Sequence, residues 1–166
     1  MSETAGAPEE PTGAPQVGEF ELEPIEVEAR RWLDALEAET GPLALFDTHT
    51  HFGRNDPDEF RQEPEHLIAT MENAGARAIT FPMHEPDGYP AANDEARAIE
   101  AGAGGRIVHF CRVNPHDWAR AEAVRCLELG AGGIKRHARA EQFARSVPAI
   151  EDLTKLAEER NVPILI

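Results

Sequence analysis

The sequence predicts an α/β fold: the N-terminal part of a parallel (β/α)8 barrel with about five strands present, preceded by a helix and a disordered acidic tail. Three observations carry this. Unbroken apolar runs recur along the chain and alternate with segments of helical periodicity, the pattern of a parallel sheet buried under crossover helices. The runs are spaced about 25–35 residues apart, the size of a βα unit. The first run ends in Asp47-Thr48-His49-Thr50-His51, not in the glycine-rich phosphate loop that opens a dinucleotide-binding sheet.

The elements follow in order. Residues 1–23 are rich in Glu, Pro, Gly and Ala and offer too little apolar surface to offset the entropy of ordering, which predicts a disordered tail. Over residues 24–40, Ile25, Ala29, Trp32, Leu33 and Leu36 recur at helical spacing, with Pro24 at the start and Gly41 past the end. Residues 41–166 form the barrel domain. Leu43–Phe46 runs into the histidine pair as the first buried strand. Pro64 opens a helix through Leu67, Ile68 and Met71, and Ala78–Met83 is the second strand. After the loop His84–Pro90 comes a helix through Ala96 and Ile99, then a third strand, Ile107–Val113. Asp117 is expected to cap the next helix. Gly133-Ile134-Lys135 is a short fourth strand, Ser146–Arg160 a helix and Val162–Ile166 a fifth strand.

Of 166 residues, 31 are acidic and 16 basic, a net charge of -15. Residues 1–40 hold 11 acidic and 2 basic side chains, leaving 20 and 14 for the remainder. No basic face is present to release counterions, which excludes nucleic acid as a partner. Nothing resembles a secretory leader or a membrane span, so a cytoplasmic protein with a small-molecule substrate is expected, and a homo-oligomer is left open. Cys111 and Cys126 lack metal-ligand spacing and read as buried free thiols.

In such folds chemistry gathers at the C-terminal ends of strands. Asp47, His49 and His51 share one face of the first strand, because side chains alternate. Two imidazoles there suit a divalent metal, zinc first. The loop after the second strand offers His84, Glu85, Asp87 and Tyr89, the last three read as solvated. Arg112 closes the third strand, and Lys135 and His137 share a face of the fourth; with Asp47 these are the candidates to contact substrate or stand behind the ligands, a pairing of Arg112 with Asp47 inside the barrel being the alternative.

The segments Leu45–His51, Phe81-Pro82-Met83, Phe110–Pro115 and Gly133-Ile134-Lys135-Arg136-His137 resemble successive landmarks of the metal-dependent amidohydrolase superfamily, in the branch shared with amidohydrolase-related decarboxylases. The resemblance covers residues 41–166. It implies a distorted barrel with one or two divalent metals, His49 and His51 as ligands, and a metal-activated water attacking a C–N or C–O bond. Lys135 stands where some members carry a carboxylated, metal-bridging lysine, and a substrate-orienting cation is the preferred reading. His137 is open to three roles, as ligand, as substrate contact or as a group behind the ligands; substrate contact is preferred. Arg136 replaces the usual leucine, at a site expected to face outward. The family's further histidines and its general base, an Asp after the eighth strand, would lie beyond Ile166. The sequence is therefore expected to be a fragment, inactive alone. A non-oxidative decarboxylase of a small aromatic acid and an inactive half-barrel scaffold are the alternative readings.

Overall fold

The computed structural model describes residues 23–56, 58–143 and 148–166. The chain divides into two compact units, Met1–Leu43 and Ala44–Ile166. The tail expected over residues 1–23 lies outside the described residues but for Glu23. In the first unit, helix α1 spans Glu23–Thr40. It stops where Gly41 takes up φ 84° and donates its N–H to Glu37 O at 2.8 Å, the left-handed closure that glycine permits without steric cost.

The second unit holds six parallel strands and four helices among the described residues. The strands are β1 Phe46–Phe52, β2 Arg77–Pro82, β3 Ile107–His109, β4 Cys111–Arg112, β5 Ile134–Lys135 and β6 Ile164–Leu165. The helices are α2 Pro64–Asn73, α3 Pro90–Gly102, α4 Ala119–Glu128 and α5 Pro148–Arg160. Strand order is β1-β2-β3 and β4-β5-β6, every pairing parallel. The expected third strand is split at Phe110. Its first half pairs with β2 and its second with β5, so one run of chain joins the two sheets. Among the described residues the strands do not close into a barrel.

Alternation sorts the side chains between the two faces. Phe52, Ala78 and Ile107 pack with Leu67, Met71, Ala96 and Ile99 of α2 and α3. Cys111 and Ile134 pack with Ala123 and Cys126 of α4 and with Leu153 and Leu156 of α5. Both cysteines are buried free thiols. The opposite face carries His51, Phe81, Arg112 and Lys135. No described helix is long and apolar enough to cross a membrane.

Three expectations need correction. The first strand is not buried: Leu45 and Phe46 are 38% and 44% exposed, because among the described residues β1 pairs with β2 alone. Asp117 does not cap α4; its N–H closes a turn onto Asn114 O at 3.0 Å, and Trp118, at φ 46°, holds the cap position without a side-chain bond. Arg136 does not face solvent. It is 5% exposed, and its Nε and Nη1 have no partner among the described residues.

Gly133 is a close-approach glycine. A Cβ there would stand 2.5 Å from Phe110 Cε2 and 2.8 Å from Pro163 O, and the backbone oxygen cannot swing aside. Gly133→Ala is expected to cost at least about 1–3 kcal/mol by overpacking, readable as a lower urea midpoint. An unchanged midpoint would show that Phe110 has room to move.

Candidate active site at the strand ends

The site begins on β1. Its pairing with β2 shifts register between Asp47 and Thr50, and Thr50 Oγ1 donates to Ile79 O at 2.8 Å. Asp47 Oδ1 accepts the main-chain N–H of His49 at 2.9 Å, the local turn that a short carboxylate favours. Asp47 is therefore committed to its own backbone and does not reach Arg112. The rings of His49 and His51 come together, centroids 5.1 Å apart. Both meet Phe81 of β2 edge-on, at 5.2 Å and 4.4 Å.

Burial, then the neighbouring His49, Arg112 and Lys135, push the pKa of His51 down to about 4. Burial and Lys135 lower that of His49, against a smaller opposing pull from Asp47. Both rings are neutral at pH 7 and keep a nitrogen lone pair free. His51 Nδ1 is buried with no partner among the described residues.

Lys135 reaches the same place from β5. Its side chain is fully buried, with Nζ 4.9 Å from the centroid of Phe81 and no hydrogen-bond partner among the described residues. Burial and the positive charge of Arg112 bring it down to about 8, with Glu141 pulling the other way. Three sequence-chosen residues, His49, His51 and Lys135, thus meet around one phenyl ring.

Arg112 is held differently. Its Nε and Nη2 donate to Glu141 Oε1 at 2.9 Å and 2.6 Å, and Nη1 donates to Pro82 O at 3.2 Å. Tyr89 donates its hydroxyl to the same carboxylate oxygen at 2.5 Å, so Tyr89 is buried, not solvated. Behind them Asn93 of α3 mimics a neighbouring strand: Nδ2 donates to Arg112 O at 3.0 Å and Oδ1 accepts Arg112 N–H at 2.9 Å. His109, on the other face, pairs with Glu100 of α3.

A cavity of about 400 Å³ opens beside this group, lined by His51, Met83, His84, Arg112, His137 and Gln142 among others. That is ample for a small molecule, since such sites run from about 300 to 1,000 Å³. His84 lines it with Nδ1 buried and without a partner among the described residues. The sequence reading missed Glu141 and Asn93 and set Tyr89 aside. All three act over sequence separations of 19 to 52 residues, which no local pattern reports.

Among the described residues no group of three or more His, Cys, Asp or Glu side chains is placed to hold a metal ion. The two neutral imidazoles fit the nitrogen part of a donor set, and the orphaned Nδ1 of His51 fits a ring with an unmet partner. The rest of a coordination shell is not among them.

Among solved structures, the chain is similar to that of a probable 2-pyrone-4,6-dicarboxylic acid hydrolase from Acinetobacter baumannii with citric acid bound. The TM-score is 0.51 at 15% identity, over 74% of this chain and 48% of that one. The likeness shows the fold alone. It is that of a mixed α/β fold with parallel strands, consistent with part of a (β/α) barrel, and the chain spans about half the length of that structure. No protein-family model matches the chain, and no curated protein matches it.

Proposed function

We propose that this chain carries half of the active site of a metal-dependent hydrolase of the amidohydrolase superfamily, acting on a C–N or C–O bond of a small molecule. The observation that carries the reading is the pair of neutral imidazoles of His49 and His51, converging at a strand end beside the cavity. A divalent ion bound there, zinc first, would supply Lewis-acid activation of water. The chain's own residues do the rest. Phe81 packs edge-on against both rings, Lys135 offers a positive charge with no partner among the described residues, and the cavity wall takes the substrate. The remaining ligands and the general base are assigned to further βα units, which makes these residues alone weak in metal binding and inactive.

A second reading, decarboxylation of a small carboxylic acid, is favoured by the ammonium of Lys135, which has no partner among the described residues. That the similar structure is named for a dicarboxylic acid and holds citric acid supports an acid substrate under either reading. Arg112 does not join Lys135 as a free carboxylate clamp, because Glu141 already occupies it.

Calorimetric titration with Zn²⁺ tests the metal reading. Loss of an outer-shell partner already costs about 10–100-fold in metal affinity. His49→Ala and His51→Ala should therefore each weaken binding at least about 100-fold. Variants that bind Zn²⁺ as the wild type does would remove the histidine pair from the proposal.

A further inference from the structure

The turn after β5 fixes one more chemical property of the site. His137 donates its main-chain N–H to Glu141 Oε2 at 2.8 Å. Ala140 donates its N–H to His137 Nδ1 at 3.1 Å, and Glu141 N–H closes the turn onto His137 O at 3.0 Å. The arrangement is similar to a capping box, with an imidazole nitrogen where a hydroxyl usually stands and the carboxylate four residues on instead of three.

A backbone N–H can only donate, so His137 Nδ1 can only accept. A neutral imidazole has one donor and one acceptor nitrogen, which leaves the proton on Nε2. Burial, followed by the positive charges of Arg112 and Lys135, lowers the pKa of His137 and keeps the ring neutral. The ring's Nε2 makes no hydrogen bond within the described residues, and the half-buried residue lines the cavity.

We propose that His137 is the cavity's directed hydrogen-bond donor, presenting Nε2–H to a carbonyl or carboxylate oxygen of the bound molecule, and that Glu141 is the positioning residue that fixes it. The assignment rests on the cavity being the substrate site. It separates His137 from the metal. A ligand must give a nitrogen lone pair, and this ring has committed its only free one to Ala140. It also divides the work between the groups around the cavity. Arg112 is occupied by Glu141, and His137 adds to the cavity wall a donor whose direction the turn fixes.

The test is nitrogen NMR of protein labelled with ¹⁵N-histidine, with the His137 signals assigned by their loss in His137→Gln. At neutral pH the expected pattern is an unprotonated Nδ1 and a protonated Nε2. Glu141→Gln, which keeps an acceptor oxygen, should retain it, and Glu141→Ala should give a mixture of tautomers. Zn²⁺ should move the His49 and His51 signals and leave His137 in place. Citrate, as a carboxylate probe, should move His137 Nε2. Its affinity should fall at least about tenfold in His137→Phe, the least that one hydrogen bond at a charged acceptor is worth, and be largely kept in His137→Gln, which retains a donor. A proton on Nδ1, a His137 signal that follows Zn²⁺ as His49 does, or equal citrate affinity in both variants overturns the assignment. Silence of His49 and His51 towards Zn²⁺, with His137 behaving as described, would fell the metal reading and leave the donor standing.

Discussion

Glu141→Ala is expected to remove about 3–5 kcal/mol of folding stability, the cost of deleting one partner of a buried ion pair. The side chains of Arg112 and Glu141 are 3% and 1% exposed. Without the carboxylate, the guanidinium keeps Pro82 O and the face of Tyr89, whose centroid lies 5.2 Å from Cζ. Neither replaces a negative charge. The hydroxyl of Tyr89 and the main-chain N–H of His137 lose their acceptor in the same step. Folded domains hold only about 5–15 kcal/mol in reserve, so the variant should unfold at a much lower urea concentration. Arg112→Met combined with Glu141→Ala should cost less than the sum of the two single changes, because no charge is then left stranded. A Glu141→Ala loss below about 1 kcal/mol is what an exposed ion pair would give, and it would mean that the pair is open to solvent.

The same cluster marks the boundary of what local sequence can say. Strands and crossover helices were legible because their signals are periodic and near in sequence: Phe52 and Ala78 alternate onto the helix-covered face, and Leu153, Leu156 and Ala157 recur on one side of α5. Parity also placed His49 with His51, and Arg112 and Lys135 on one face. It failed at Asp47, where a short carboxylate two residues before His49 prefers the nearest N–H to a distant guanidinium. That preference could have been read from the sequence. Glu141 could have been suspected too, since it lies four residues after His137, a spacing that permits a reciprocal turn. Its union with Arg112 and Tyr89 could not, because it depends on a strand and two loops meeting in space. Nor does any sequence pattern reveal that Asn93 would stand in for a strand.

Lys135→Met is expected to stabilise the fold by about 1–3 kcal/mol at pH 7, the desolvation cost of a buried, unbonded polar group. The ammonium has full burial, an aromatic face and no hydrogen-bond acceptor among the described residues. Around it stand Arg112, Glu141, His137 and the two β1 histidines, of which Glu141 is the one anion, and Arg112 already takes that. The pH dependence carries the same sign. With the folded pKa near 8 and an unfolded value of about 10.4, the unfolded chain binds more protons between these limits. Wild-type stability should therefore rise with pH across that window, while Lys135→Met should lack this rise. Urea unfolding at pH 7 and pH 10 separates the cases. A destabilised Lys135→Met would show that Nζ has a partner in solution and is not the free charge of the site. A charge that the fold would be more stable without is accounted for by what it receives. An anion placed beside Phe81 would supply the missing acceptor and return the lysine towards its ordinary pKa, so the wild-type rise above pH 8 should flatten when citrate is bound and stay unchanged when chloride replaces it.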